Sequence, residues 1–151
     1  MIKGVKKVEN STPVSIQLNT VISQADGTKE EFTLTSTGEW ITKNNIDYLK
    51  YEETQEAGTV RTIIKMEEHQ AVILRSGALK MRLAFRDGES MMSSYDSEYG
   101  TLSLITETKK YTHRIPQEKP GRFYVNYNLE MAGSPVGNYT MTIDYKEVTP
   151  R

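Results

Sequence analysis

The chain has 151 residues, room for one domain with a sizeable core. Nineteen basic residues against twenty acidic ones give a formal charge of −1, so no global field draws it to nucleic acid or anionic membrane. With no cysteine, disulfides and thiolate metal sites are excluded, and a reducing compartment, the cytoplasm, is the expectation.

The opening segment, MIKGVKKVENSTPV, carries lysines but no continuous apolar run, and no later stretch is apolar enough for a membrane-spanning helix. The glycosylation patterns at Asn10 and Asn138 therefore carry no weight. Strands are then predicted near 13–23 and 31–42, separated by the turn Ala25-Asp26-Gly27. The second strand holds Gly38-Glu39-Trp40, which has the G-x-W form found on the first strand of lipocalin barrels. Here the tripeptide follows a complete strand, so it supports lipocalin kinship only weakly. Trp40 is expected to pack in or across one end of a barrel.

Further strands are predicted near 46–55, 59–66 and 71–76, with turns at Lys43-Asn44-Asn45, Glu56-Ala57-Gly58 and Ser76-Gly77. The clearest alternation follows. In LKMRLAF, Leu79, Met81, Leu83 and Phe85 share one face, while Lys80 and Arg82 take the other. Strands near 89–97 and 101–112 come next, then an exposed loop at PQEKPG. RFYVNYNLEM alternates again, with Phe123, Val125, Tyr127, Leu129 and Met131 on one face. A longer loop, Ala132–Gly137, leads into a last strand at 138–147. No helical stripe appears. Short, evenly spaced strands joined by hairpin turns predict a single all-β domain over residues 1–151, an antiparallel up-and-down meander of about eight to ten strands closed into a barrel.

Parity names the polar residues that share the interior. The inner set is Leu49, Tyr51 and Glu53; Val60, Thr62, Ile64 and Met66; Ile73 and Arg75; Met91, Ser93 and Tyr95. A buried charge must be paired or wet, so Glu53 and Arg75 are expected either to meet or to line a solvated cavity near the rim. Tyr51, Glu53, Thr62, Arg75, Tyr95 and Tyr127 form the candidate ligand site. The small inward residues Thr62, Ser93, Thr106 and Thr108 are expected to leave room for it. The run AVIL at 71–74 is apolar on both faces and needs an outer cover. A homodimer over Ile63, Val72 and Leu74 would supply that cover, as would a loop or the amino-terminal segment.

No P-loop, dinucleotide fingerprint, zinc-protease, nucleophile-elbow or EF-hand pattern occurs. His69 and His113 are unclustered and read as surface residues, so no metal or other cofactor is expected. Neighbouring carboxylates such as Glu52 and Glu53 point to opposite faces and cannot act on one substrate. The basic residues Arg61, Lys65, Lys80, Arg82 and Arg86 read as solvated outer charge.

The segments FTLTSTGEW, YLKYEET, GTVRTIIKM, ILRSGALKMRLAF and SYDSEYGTL, in that order, resemble the YwiB-like proteins, a bacterial family of unknown function. The resemblance implies a calycin-like β-barrel and a soluble intracellular protein, and it supplies no catalytic residues. Three function classes remain, in this order: a barrel binding an acidic or lipid-like small molecule; an interaction or regulatory protein acting through its outer surface as a homodimer; and an enzyme using Glu53. No acid–base pair or nucleophile supports the third, and neither nucleic acid nor membrane is an expected partner.

Overall fold

The computed structural model describes residues 10–148. Ten strands follow one another: β1 Asn10–Ser23, β2 Lys29–Lys43, β3 Ile46–Gln55, β4 Gly58–Met66, β5 Gln70–Gly77, β6 Lys80–Arg86, β7 Ser90–Ser97, β8 Gly100–Arg114, β9 Gly121–Met131 and β10 Ser134–Glu147. Each pairs antiparallel with the next, and β10 returns to β1, with Asn138 opposite Ser23 and Glu147 opposite Val14. The meander therefore closes into a ten-strand barrel.

The alternation seen in sequence becomes the inside and outside of the wall. Val14, Leu49, Ile64, Ile73, Phe85, Phe123, Val125 and Ile143 are all fully buried. Tight turns with left-handed backbone join the strands at Asn44-Asn45 and at Ala132-Gly133, where φ is positive at each residue. The long loop expected at Ala132–Gly137 contracts to that second turn. Ser134 is already in β10, and the bend is absorbed by a register shift between Leu129 and Glu130. Leu79, expected in a strand, lies in the turn before Lys80.

Two pairings are short. β2 and β3 pair only from Gly38–Lys43 to Tyr51–Ile46. A Cβ on Gly38 would lie 2.1 Å from the Lys50 carbonyl oxygen, so only glycine fits where the two strands fork. β6 and β7 pair only through Lys80, Met81 and Arg82. Beyond that point side chains replace the ladder: the Ala84 N–H donates to Ser93 Oγ at 2.9 Å, and Thr106 Oγ1 donates to the Ala84 carbonyl. Ser93 and Thr106 thus clamp a seam in the wall rather than leaving space beside a cavity, because small hydroxyl side chains are what can reach backbone groups there.

The outer basic residues are engaged with acids: Arg61 with Glu52 at 3.5 Å, Lys65 with Glu67 at 3.9 Å and Arg86 with Glu89 at 3.2 Å. Ile63 and Val72 are half-buried on the same outer face, and Leu74 is exposed. The amino-terminal segment considered as their cover lies outside the described residues.

Candidate functional site

The hairpin turns at 24–28, 56–57, 78–79, 98–99 and 132–133 stand at one end of the barrel. Just inside that end, Tyr51, Thr62, Arg75, Met81 and Tyr95 are successive register partners across β3 to β7. They form one inward row around half of the wall. Glu53 sits two residues nearer the rim on the same face of β3.

A cavity of about 380 Å³ opens there, lined by Glu53 and Arg75, by apolar Leu18, Leu34, Leu83, Leu129 and Met141, and by the rings of Tyr127 and Tyr139. The two rings stack at 5.1 Å with planes 10° apart, and Tyr127 leans on Phe85 at 4.7 Å. This gives one aromatic wall, an aliphatic floor and a charged side, the usual anatomy of a small-molecule site.

Arg75 is the unusual group. Its Nε is buried without a hydrogen-bond partner, and among the described residues no carboxylate lies within ion-pair distance of it. Glu53, the partner expected from parity, instead accepts a hydrogen bond from Gln55 Nε2 at 3.3 Å. Of the two arrangements expected for Glu53 and Arg75, the structure has the cavity and not the ion pair. Burial raises the Tyr51 hydroxyl above its ordinary pKa, while the Arg75 charge pulls it down. Tyr127 is also pushed up by burial and by Tyr139, and Arg75 again opposes the shift. The guanidinium field therefore reaches both tyrosines, and both hydroxyls stay protonated donors at neutral pH.

Of the six residues named from sequence, Glu53, Arg75 and Tyr127 line the cavity. Tyr51 and Thr62 are buried in the row beside Arg75, and Thr62 Oγ1 has no hydrogen-bond partner. Tyr95, half-buried, packs against the core without reaching the cavity wall. Sequence reasoning missed Tyr139, Leu18 and Met141. Their signal was present in the parity of IQLNT and of YTMTIDY, whose even and odd positions respectively face inward.

The opposite end is sealed. Asp47 Oδ1 accepts from Trp40 Nε1 at 2.9 Å and from Thr42 Oγ1 at 3.0 Å. The Tyr111 hydroxyl donates to the Glu67 carbonyl at 2.6 Å. Gly121 allows Pro116 and Tyr145 to pack tightly at this end, since a Cβ there would lie 2.6 Å from the Tyr145 ring and 2.8 Å from Pro116. His113 belongs to this end. It was expected on the surface, yet its side chain is only 12% exposed, with Nε2 3.6 Å from Asp47 Oδ2. The reason is parity: β8 continues past 112 to Arg114, so His113 follows Tyr111 inward. Burial lowers its pKa from 6.5, outweighing the opposite pull of Asp47. His69 lies exposed in the β4–β5 turn. No group of three or more His, Cys, Asp or Glu able to hold a metal occurs among the described residues.

A family model described as a domain of unknown function, DUF1934, matches residues 16–143. The chain belongs to the DUF1934 family. It is 33% identical over 139 residues to the uncharacterized beta-barrel protein YwiB of Bacillus subtilis (strain 168), covering 92% of this chain and 96% of that protein. The crystal structure of the ywiB protein from Bacillus subtilis superposes with a TM-score of 0.83 at 33% identity, covering 94% of this chain and 96% of that one. The barrel fold is thus common to this DUF1934 chain and to the ywiB protein.

Proposed function

We propose that this DUF1934 protein is a small-molecule binding barrel whose ligand is amphipathic and anionic. The observation that carries this reading is Arg75: a guanidinium facing a mostly apolar cavity, its Nε buried and unpartnered, with no carboxylate in ion-pair range. Leaving that Nε–H unsatisfied is costly, and a bound carboxylate or similar anion would satisfy it with a charge-assisted hydrogen bond. The Tyr51 and Tyr127 hydroxyls supply neutral donors close to the same charge. Leu18, Leu83, Leu129 and the stacked pair Tyr127–Tyr139 would take the apolar part. Glu53 near the rim would select against ligands with a second anionic group.

Native mass spectrometry of protein purified from a cell extract, followed by denaturing release, tests the reading directly. A small acid at near-stoichiometric occupancy supports it, and a panel of aliphatic and aromatic carboxylates in thermal-shift assays extends it. If no carboxylate raises the midpoint, or if Arg75→Met responds to one as the wild type does, the reading is wrong.

A second reading rests on Leu74, 43% exposed on the outer face opposite half-buried Ile63. With Val72 these residues make an apolar strip fit for contact with another protein surface, a copy of this chain included. Val72→Glu should abolish any self-association of this kind as measured by light scattering. An oligomer of unchanged mass would remove this strip from consideration.

A further inference from the structure

The fork between β2 and β3 leaves more than a gap. Continuing the register upward from Gly38 and Tyr51 would set Leu34 opposite Gln55, where the β3–β4 hairpin turns. From Lys29 to Thr33, β2 therefore rises past the tip of its neighbour. Among the described residues, the edge of β2 that faces away from β1 has no strand partner anywhere in Lys29–Thr37, and beside the fork Ser36 Oγ still reaches β3 by donating to the Glu52 carbonyl at 3.2 Å, so the open part of the edge is 29–35. The other edge is fully paired, with Ser23 opposite Lys29 and Ser15 opposite Thr37.

Free edges of monomeric sheets usually carry guards such as proline, a bulge or a central lysine. This one does not. Phe32-Thr33-Leu34-Thr35-Ser36-Thr37 is uncharged, β-prone and free of glycine and proline, and Phe32 is 52% exposed. The charges Lys29, Glu30 and Glu31 all lie at one end of the run.

We infer that this edge pairs with the same edge of a second copy, antiparallel about a two-fold axis at Thr33. In that register Phe32 meets Leu34 of the other copy on the cavity side. Thr33 meets its own copy and Glu31 meets Thr35 on the outer side, and the pairing ends there because β3 flanks Ser36 at Glu52. Apolar faces apolar, the one paired charge faces a hydroxyl, and no like charges oppose. The neighbouring registers fail. Centring on Leu34 would need Gly38 and Glu39, whose outer pairing is already taken by Tyr51 and Lys50. Centring on Phe32 sets Glu30 against Leu34. The strand is complementary to itself in one register only, which selects a copy of this chain over an unrelated peptide. The inference does not depend on the ligand reading, although the second copy's Phe32 and Leu34 would lie across the barrel mouth.

Sedimentation velocity of the full chain at micromolar concentrations is the test, with Thr33→Lys and Thr33→Glu. Each variant sets two like charges on the two-fold axis and should raise the dimer dissociation constant about tenfold or more. An equimolar mixture of the two should recover the dimer, now with opposite charges paired. Circular dichroism establishes that each variant is folded. A monomeric wild type would overturn the inference, as would a dimer indifferent to both charges, or a mixture that fails to reassociate. A dimer lost in Val72→Glu but kept in Thr33→Lys would assign self-association to the outer strip and equally overturn it.

Discussion

The two ends of this barrel are built from the same alternation of residues and use their polar groups differently. At the closed end Trp40, Thr42 and Asp47 satisfy one another and Tyr111 reaches a backbone carbonyl, while His113 Nε2 and the Tyr145 hydroxyl are buried without a hydrogen-bond partner. At the open end Arg75 Nε and Thr62 Oγ1 are unpartnered too, but Arg75 lines a cavity, and a strand edge is bare among the described residues. Satisfied polar clusters hold a fold together, and an unpartnered donor that faces a cavity marks where something else is expected to bind. Stability should therefore respond to changes at the closed end, and ligand response to changes at the open one.

The sharpest break in that division is Gly38, which sits at the fork between the two regimes. Gly38→Ala drives a methyl group into the Lys50 carbonyl, and denaturant titration should show a loss of about 3 kcal/mol or more, because backbone cannot step aside. Next comes Asp47→Ala, which strands the Trp40 N–H and the Thr42 hydroxyl. Chemical denaturation should register a loss of about 1–3 kcal/mol, and an unchanged midpoint would deny the closed end its structural role.

Acid should weaken the closed end further. The fold depresses the His113 pKa below 6.5, so below that pH the unfolded chain binds the additional proton. The stabilising contribution is complete above the unfolded value and is lost as the pH falls toward the folded one. Wild type should thus lose more thermal stability than His113→Gln between about pH 7 and about pH 5; parallel Tm curves would contradict this. The smallest effect belongs to Arg75→Met. It removes a half-buried guanidinium that no carboxylate pairs and whose Nε has no partner, so Tm in the absence of ligand should stay within the span of about 1 kcal/mol while ligand-induced stabilisation vanishes. A large loss without ligand would move Arg75 to the structural side of the comparison.

The architecture was legible because period-two alternation is unambiguous in stretches such as LKMRLAF and RFYVNYNLEM, where each wrong register would expose Phe85 or Phe123. Arg75 and Glu53 were legible for the same reason, being polar residues at inward parity. What was hidden depends on chain geometry. Nothing local says that β2 leaves β3 at Gly38, although the glycine marks the place. His113 was misplaced because Arg114 and the loop after it look like a strand end, and the continuation of β8 is decided by pairing with Arg122 on β9. Val136 was hidden because the glycine-, proline- and serine-rich residues 132–137 look like a loop, and only the bulge after Leu129 brings it into the wall.

The pairing of β10 with β1 also governs how the molecule assembles. Nine of its ten strand contacts join neighbours in sequence and can zip hairpin by hairpin, whereas the tenth unites residues such as Val14 and Glu147 from the two extremes of the described chain. Until that last ladder forms, both terminal strands present naked edges and the core is open to water. Closure is thus the late, entropically expensive event, and it commits every strand at once. Core substitutions along β1 and β10, at Ile16 or Ile143, should consequently leave refolding rates almost unchanged and accelerate unfolding, a pattern that stopped-flow chevrons would reveal or refute.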